Sequence, residues 1–262
     1  MSARRVWALV LRQVYVIRRS FARITDLFYW PLVDLFFFGF LSLYLGRRQG
    51  GAALVGLLLG ALILWDIFFR VQQGISVSFL MELWTRNFVN LFVTPITVSE
   101  FLLAMMLWGV GKILITATLM TVLALLLYGF NLFTLGLGLV PLITGLILFA
   151  WAVGTIITAI ILRYGQSAET LAWSLAFLFQ PFGAVFFPLS VYPQWLARVL
   201  LLLPLPHLFE GMRAVLAGGP FPVRHLAWAF GLDAVYLAVA FAFFGYMFAQ
   251  ARARGLLLKL QE

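Results

Sequence analysis

The sequence contains no cysteine and only two histidines, and charged residues occupy just 10% of its 262 positions. The lack of cysteine excludes disulfide bonds, thiolate nucleophiles and cysteine-ligated metals. His207 and His225 do not belong to a His-Glu-x-x-His motif, so we expect no metal site. A soluble domain would carry about 25% charged residues. The scarcity of charge therefore argues against a soluble protein.

The sequence also lacks the motifs of nucleotide hydrolysis and of nucleophilic catalysis. A phosphate-binding loop needs the pattern G-x-x-x-x-G-K-[ST]. The pair Gly111 and Lys112 lacks both the upstream glycine and the hydroxyl residue that should follow. A G-x-S-x-G nucleophile elbow does not occur either. We therefore expect a chain that is not an enzyme and that holds no cofactor of its own.

Long apolar runs are what the chain has in abundance, with 64% hydrophobic and 17% aromatic residues. About 20 apolar residues cross a bilayer as a helix, whereas barrel strands would be short and alternating. The sequence predicts an all-α integral membrane protein with one transmembrane domain over residues 1–262. The six predicted spans lie at about residues 27–45, 52–79, 101–128, 135–162, 171–188 and 227–249.

Six spans would place both termini on one side of the membrane. Of the 18 lysines and arginines, 11 would then lie on that side, 5 on the other, and Arg70 and Lys112 within spans. The positive-inside rule predicts cytoplasmic termini. The net charge of +9 is concentrated near the ends, which fits membrane lipids as partners better than nucleic acid. We expect no cleavable signal peptide, because the first apolar run lacks a small-residue cleavage site.

Residues 4–24 have the pattern of an amphipathic helix that lies on the membrane surface. Basic residues recur on one side at helical spacing, and apolar residues occupy the other. A simpler interpretation is a basic leader that only keeps the N-terminus inside. The basic candidates are Arg5, Arg12, Arg19 and Arg23.

The mixed segment over residues 82–100 is too polar to span and joins the second and third predicted spans. Pro95 stops a helix, Thr97 can cap the next one, and Glu100 suits its first turn. We expect the apolar residues here to be exposed and to form a docking surface, although an ordinary capped loop without a partner would explain the capping residues. The candidates are Glu82, Leu83, Trp84, Arg86, Asn87, Phe88, Leu91 and Pro95, with Phe92 as a further exposed position.

The fifth predicted span is interrupted by Pro181 and Pro188, and two short outer helices follow. Irregular backbone at membrane depth must be covered by protein or line a cavity. The charges at positions 210 and 213 are three apart, so they form either a local salt bridge or part of an exit site. The candidates on the outer helices are Trp195, Glu210 and Arg213.

Ionisable residues within membrane spans are costly and are therefore functional candidates. Two of them, Asp66 and Arg70, are four residues apart and are predicted to pair. Lys112 is expected to satisfy either Asp34 or Asp233. These groups are either structural pairs that fix helix register or the polar lining of a route for cargo or protons.

Aromatic residues around the broken span could line a hydrophobic route, although each alone is more typical of core packing. Together with the interrupted helix they favour a hydrophobic or amphipathic cargo, although an aromatic-lined route would suit sugars equally, because sugars stack on aromatic rings. The candidates for the cargo path are Phe179, Phe182, Phe186 and Phe187, with Asp34 and Lys112.

Two motifs carry a resemblance to a known family. In the last third of the chain the matching residues are Gly183, Phe187, Pro188, Pro193, Trp195, Leu196, Pro206, Glu210 and Arg213. Between the second and third spans they are Glu82, Arg86, Asn87, Leu91, Pro95, Ile96, Thr97 and Glu100. In these residues and in its span layout the chain resembles type 2 ABC exporter permeases.

The resemblance implies the transmembrane subunit of a bacterial ABC transporter in the cytoplasmic (inner) membrane. It implies a second permease copy, as a homodimer, and two copies of a separate ATPase subunit that bind ATP and Mg. Residues 82–100 would be the coupling helix, and the N-terminal helix would abut the ATPase. The cargo would be a lipid, drug, lipid-linked glycan or polysaccharide. The alternative is a proton-coupled carrier or channel that uses Asp34, Asp66 and Asp233.

Overall fold

The computed structural model describes residues 1–47 and 51–253. Apolar helix formers dominate these residues, which form ten α-helices and no strand. Short 3-10 turns at Leu132–Gly138, Gly165–Ala168 and Leu189–Val191 precede three of the helices. The helices are Ala3–Arg18 (α1), Phe21–Leu45 (α2), Gly51–Trp84 (α3), Phe88–Val93 (α4), Val98–Tyr128 (α5), Leu139–Tyr164 (α6), Glu169–Phe182 (α7), Gln194–Leu200 (α8), Pro204–Leu216 (α9) and Val223–Ala253 (α10).

Five of these helices are long and apolar enough to cross a membrane, namely α2, α3, α5, α6 and α10. Helices α8 and α9 meet at a bend of 102° and together make either a sixth, broken span or a re-entrant hairpin. The predicted all-α integral membrane fold is therefore confirmed, with five or six spans.

Helices α3 and α6 form the centre of the bundle, since 72% of the apolar stretch of each is buried, against 22% for α5 and for α10. Phe68 of α3 stacks on Phe149 of α6, with ring centroids 5.6 Å apart. Glycine allows the closest helix contacts. A Cβ on Gly74 would lie only 2.5 Å from the Cα of Gly109 on α5, so this crossing requires the absence of a side chain.

Residue 1 and residue 253, the first and last that the structure describes, lie at the same end of the bundle. Helices α3, α6 and α10 run parallel to one another, and Arg163 Nη1 at the end of α6 donates to Gln250 Oε1 near the end of α10 at 2.9 Å. Helix α1 contacts Glu82 near the end of α3 and Glu100 near the start of α5. We call this the α1 end of the bundle.

The N-terminal amphipathic helix is shorter than the predicted 4–24. It ends at Arg18, and α2 begins at Phe21. Between them Ser20 has an extended backbone, with φ −121° and ψ 106°, which is the conformation that serine favours at a helix N-cap. Arg23 consequently belongs to the first long helix rather than to the surface helix.

The second and fifth predicted spans also differ from the structure. Helix α3 continues past residue 79 to Trp84, so Glu82 and Leu83 lie in its last turn and not in a separate connection. Helix α7 has 14 residues, or about 21 Å, which is short of the roughly 30 Å hydrocarbon core. Pro181 lies inside α7, and the helix ends only after Phe182, where Ala184 takes a positive φ of 53°.

We expect Gly74→Ala to destabilise the fold, because the new methyl group would meet the backbone of α5, and overpacking of this kind costs about 1–3 kcal/mol. The matched control is Gly231→Ala on α10, where a Cβ meets nothing within 4 Å. Thermal unfolding midpoints of the purified variants provide the measurement. Equal midpoints for the two variants would contradict the close α3–α5 crossing.

Candidate functional site

Glu82 is the first of two buried carboxylates that hold α1 against the bundle, and only 3% of it is exposed. Its Oε2 accepts from Arg12 Nη2 at 2.8 Å, and its Oε1 lies 2.8 Å from Arg12 Nη1. The same Oε2 accepts from Asn87 Nδ2 at 2.7 Å. Glu82 therefore connects α1 to the last turn of α3 and to the turn that leads into α4.

Glu100 is the second carboxylate and is fully buried. It accepts from the backbone nitrogens of Ser2 at 2.6 Å and Thr97 at 2.9 Å, and Arg5 Nη1 lies 3.2 Å from it. The Thr97 hydroxyl in turn accepts from the Glu100 nitrogen at 3.3 Å, which completes a capping box. Arg5 also donates to the carbonyl oxygen of Pro95. The start of α1 is thereby joined to the start of α5.

We call Glu82, Glu100, Arg5 and Arg12 the α1 anchor. Arg5 and Arg12 are seven residues apart, which is about two helical turns, so both project from one face of α1. Their two carboxylates bracket α4 and its flanking turns in sequence. A displacement of residues 85–97 would therefore act on α1, α3 and α5 together, because buried charges do not readily give up their partners.

The α1 anchor corrects the expected orientation of the N-terminal helix. Arg5 and Arg12 contact protein carboxylates rather than facing away from the bundle, and Val6 and Leu9 are buried beside them. Arg19, the remaining basic candidate on this segment, is exposed. The outward side of α1 carries large apolar residues, which are Trp7, Leu11, Val14 and Tyr15.

The exposed residues of the α4 region form what we call the α4 surface. Leu83 and Leu91 do not contribute to it, contrary to the expected exposure, since they are only 1% and 7% exposed and pack into the core. The side chains of Phe88 and Phe92 lie outside the described part of the chain. The α4 surface consists of Trp84, Arg86, Asn90, Val93 and Pro95.

The tight turn between α3 and α4 shapes the α4 surface. Arg86 has a positive φ of 51°, which is unusual for a residue with a side chain. The backbone nitrogen of Asn87 donates to the Glu82 carbonyl oxygen at 3.0 Å and closes the turn. Val93 at the end of α4 is 81% exposed, and the Pro95 side chain is exposed as well. The geometry leaves apolar and cationic side chains facing outward at the α1 end.

Glu210 and Arg213 on α9 act on the segment after α7. Glu210 Oε1 accepts from the Leu189 backbone nitrogen at 2.7 Å. Arg213 donates to the carbonyl oxygen of Phe187 at 2.8 Å and also to that of Ala184. Within residues 1–47 and 51–253 the two charged groups do not form an ion pair with each other. Neither sequence interpretation, a local salt bridge or an exit site, anticipated this role.

We call Glu210 and Arg213 the α9 clamp, because their side chains bond to backbone groups that lie outside the α-helices. Residues 183–188 are neither α-helical nor in a strand, so their polar atoms need other partners at membrane depth. The signal in the sequence was a pair of charges on a mostly apolar helix that follows a proline-broken segment. Trp195 on the neighbouring α8 is 68% exposed and takes no part in the α9 clamp.

The ionisable residues within the spans are only partly paired. Arg70 Nε donates to Asp66 at 2.8 and 2.9 Å, which confirms the predicted pair. Lys112 contacts neither Asp34 nor Asp233 in an ion pair within the described chain. Asp233 is fully buried, and neither carboxyl oxygen has a partner among the described residues. The expected role of Lys112 as the counterion of an aspartate is therefore not observed.

The aromatic candidates divide into packed and exposed residues. Phe179 contacts Phe68 and Phe149 edge to face, with centroids 5.9 and 5.4 Å apart, and so packs against the core. Phe186 stacks on a ring of α2 at 4.6 Å. Phe182 and Phe187 are exposed. Phe182 and Phe187 are therefore the most exposed of the four candidates, whereas Phe179 and Phe186 are half-buried.

The model of the ABC-2 type transporter family matches residues 4–217, from α1 to the end of α9. The chain belongs to the ABC-2 type transporter family. The resemblance inferred from the two motifs is thereby confirmed, and both the α1 anchor and the α9 clamp lie within the matched region. No curated protein matches the chain.

Membership in this family has direct consequences. The ABC-2 chain is a multi-pass membrane protein and the permease component of an ABC transporter, not its ATPase. It works with an ABC ATPase subunit.

We expect Glu82→Gln to loosen α1, because a neutral amide cannot hold the Arg12 guanidinium and accept from Asn87 as a carboxylate does. A lost hydrogen bond to a charged group is worth about 1.5–3 kcal/mol, so amide protection in α1 should fall on the order of tenfold or more. Hydrogen exchange of the purified permease measures this. Glu169→Gln at the start of α7 is the control, and unchanged protection in Glu82→Gln would contradict the role of the anchor.

Proposed function

We propose that this permease is the transmembrane subunit of an exporter that moves a hydrophobic or amphipathic cargo out of the cytoplasm. Two copies of a separate ATPase would bind ATP and Mg and dock at the α1 end. The single observation that carries this proposal is the α1 anchor, which joins α1 to α3 and α5 on either side of α4. Force on the α4 surface would therefore act on all four helices.

The chemistry of the α4 surface supports docking of a protein there. It combines the indole of Trp84, the exposed Val93 and the cationic Arg86. Aromatic residues and arginine are the types most enriched at interfaces and at their energetic hot spots. The exposed Trp7 and Tyr15 on α1 extend the apolar surface at the same end. An ATPase that closes on ATP would push against both elements.

The proposed location is the bacterial cytoplasmic (inner) membrane, with both termini in the cytoplasm. The excess of lysine and arginine on the side of the termini, 11 against 5, supports this orientation. It also makes the α1 end the cytoplasmic end, which is where a nucleotide-dependent partner would have to bind. The proposed docking site of the ATPase and the orientation from the charge bias therefore lie on the same side of the membrane.

We propose that a second permease copy, as a homodimer, covers part of the aromatic surface of α2 and α7. Only 28% of the apolar stretch of α2 is buried. The rings of Phe36 and Phe40 stack on each other and are exposed, and Phe177 and Phe182 on α7 are exposed as well. A cargo path between two such surfaces would be hydrophobic, which suits a lipid, a drug or the lipid part of a linked glycan or polysaccharide.

We expect Trp84→Ala to weaken binding of the ATPase subunit roughly thirtyfold or more, since a buried interface tryptophan contributes about 2 kcal/mol or more. The matched control is Trp195→Ala, which removes an equally large exposed indole from α8. Affinity of the purified ATPase for permease in nanodiscs is the measurement. Equal affinities for the two variants would contradict docking at the α4 surface.

Transport in inside-out vesicles tests the energy source. Vesicles that contain permease and ATPase should accumulate the hydrophobic dye rhodamine 6G when ATP is added, and an uncoupler should leave the initial rate unchanged. A partner ATPase without its phosphate-loop lysine should abolish accumulation. Accumulation by permease alone that collapses with the uncoupler would instead support the proton-coupled alternative.

A further inference from the structure

A cavity of about 110 Å³ lies in the half of the bundle nearest the α1 end. Its lining comes from five helices, α1, α2, α3, α5 and α7. Three cationic side chains line it, Arg23, Arg70 and Lys112, against one carboxylate, Asp26. One water needs roughly 10–15 Å³ by this measure, so the cavity has room for a group about the size of a hydrated phosphate.

The cationic side chains of the cavity have few hydrogen bonds or ion pairs with the described part of the protein. Lys112 makes no hydrogen bond or ion pair with residues 1–47 or 51–253. Arg23 has one weak contact, from Nη2 to the Met81 sulfur at 3.9 Å. Arg70 uses its Nε on Asp66, a residue that does not line the cavity. Asp26 attracts Lys112 without forming a close ion pair with it, so the cavity keeps positive charge that has no close partner. Such charge is costly inside a membrane protein, and an anionic ligand would offset that cost.

The position of the cavity favours a ligand that arrives from the lipid. Its lining follows α3 from Arg70 to Met81, which is about 16 Å along the helix. It reaches the first turns of α2 and α7, where Asp26 and Trp173 are exposed on the side of the bundle. Trp173 and Trp108 contribute indoles, the side chains typical of the boundary between headgroups and hydrocarbon. A headgroup can enter sideways while its acyl chains stay outside.

We propose that this cavity binds the phosphate of an anionic phospholipid from the adjacent leaflet, with Lys112 and Arg23 donating to the phosphate oxygens. Paired guanidinium and ammonium donors are suited to phosphate, the first as a fork and the second as a point charge. The apolar residues Ile17, Leu27 and Val77 beside the cations match the glycerol and upper acyl region better than they match water. The site does not depend on the ATPase or on transport.

The test uses the full-length permease in phosphatidylcholine nanodiscs, with dioleoyl-phosphatidylglycerol as the probe and native mass spectrometry as the readout. Each lost charge-assisted hydrogen bond should weaken retention of the probe on the order of tenfold, so Lys112→Gln and Arg23→Gln should both reduce it. Lys112→Arg should keep most of the retention, because the charge remains. Arg198→Gln on the exposed surface of α8 is the control for loss of net charge and should bind as wild type does.

Three further outcomes decide the source of the phosphate and the validity of the site. Inorganic phosphate at millimolar concentration should not displace the lipid, and displacement that depends on Lys112 would overturn the lipid assignment in favour of free phosphate. Wild-type retention in both Lys112→Gln and Arg23→Gln would overturn the proposal. An equal loss in Arg198→Gln would do the same, since it would mean that only net charge matters. Arg23 is partly exposed, so its variant is informative even if Lys112→Gln does not fold.

Discussion

The pairing of two buried carboxylates with two arginines of α1 is the interaction on which the α1 end depends. Glu82 lies in the last turn of α3 and Glu100 in the first turn of α5, on either side of α4. Either carboxylate would destabilise the fold strongly if it were buried without a positive partner. Arg12 and Arg5 remove that cost only while α1 lies in one register against the bundle. The short helix α4, which has little core of its own, therefore takes its position from α1, α3 and α5.

A second constraint shapes the opposite half of the molecule, where backbone rather than side chains needs partners. Helix α7 ends about two turns short of a full span, and after Gly183, whose nitrogen still donates to the Phe179 carbonyl oxygen, the chain continues to Pro188 outside any helix. The side chains of Glu210 and Arg213 on α9 supply partners for three backbone groups here, the nitrogen of Leu189 and the carbonyl oxygens of Phe187 and Ala184. Both halves thus use charged side chains inside an apolar bundle to fix irregular segments, one at each end of the permease.

The hydrophobic pattern alone predicted most of the fold. In a bilayer the backbone polar groups must bond to one another, and long apolar runs do this as helices. The same pattern misplaced the boundaries at Ser20 and Trp84, since apolar periodicity continues across the extended residue Ser20 and past the predicted end of the second span at residue 79. It also misjudged Leu83 and Leu91, which looked exposed only because their neighbours are polar. The capping box at Thr97 and Glu100 was readable, because its chemistry is local in sequence.

The arginines of the N-terminal helix illustrate where sequence reasoning stops. Helical spacing correctly groups Arg5 with Arg12 on one face, but spacing cannot say what that face meets. Membrane phosphates and protein carboxylates are both anionic, and either would explain a basic stripe. In the structure the partners are the carboxylates of Glu82 and Glu100. They are 70 and 95 residues away from Arg12 and Arg5 and become neighbours only when α3 and α5 pack. Arg23 and Lys112, by contrast, form no close ion pair with a carboxylate of the described chain, although Asp26 lines the same cavity, and that difference is why we infer that a phosphate from outside the chain binds there.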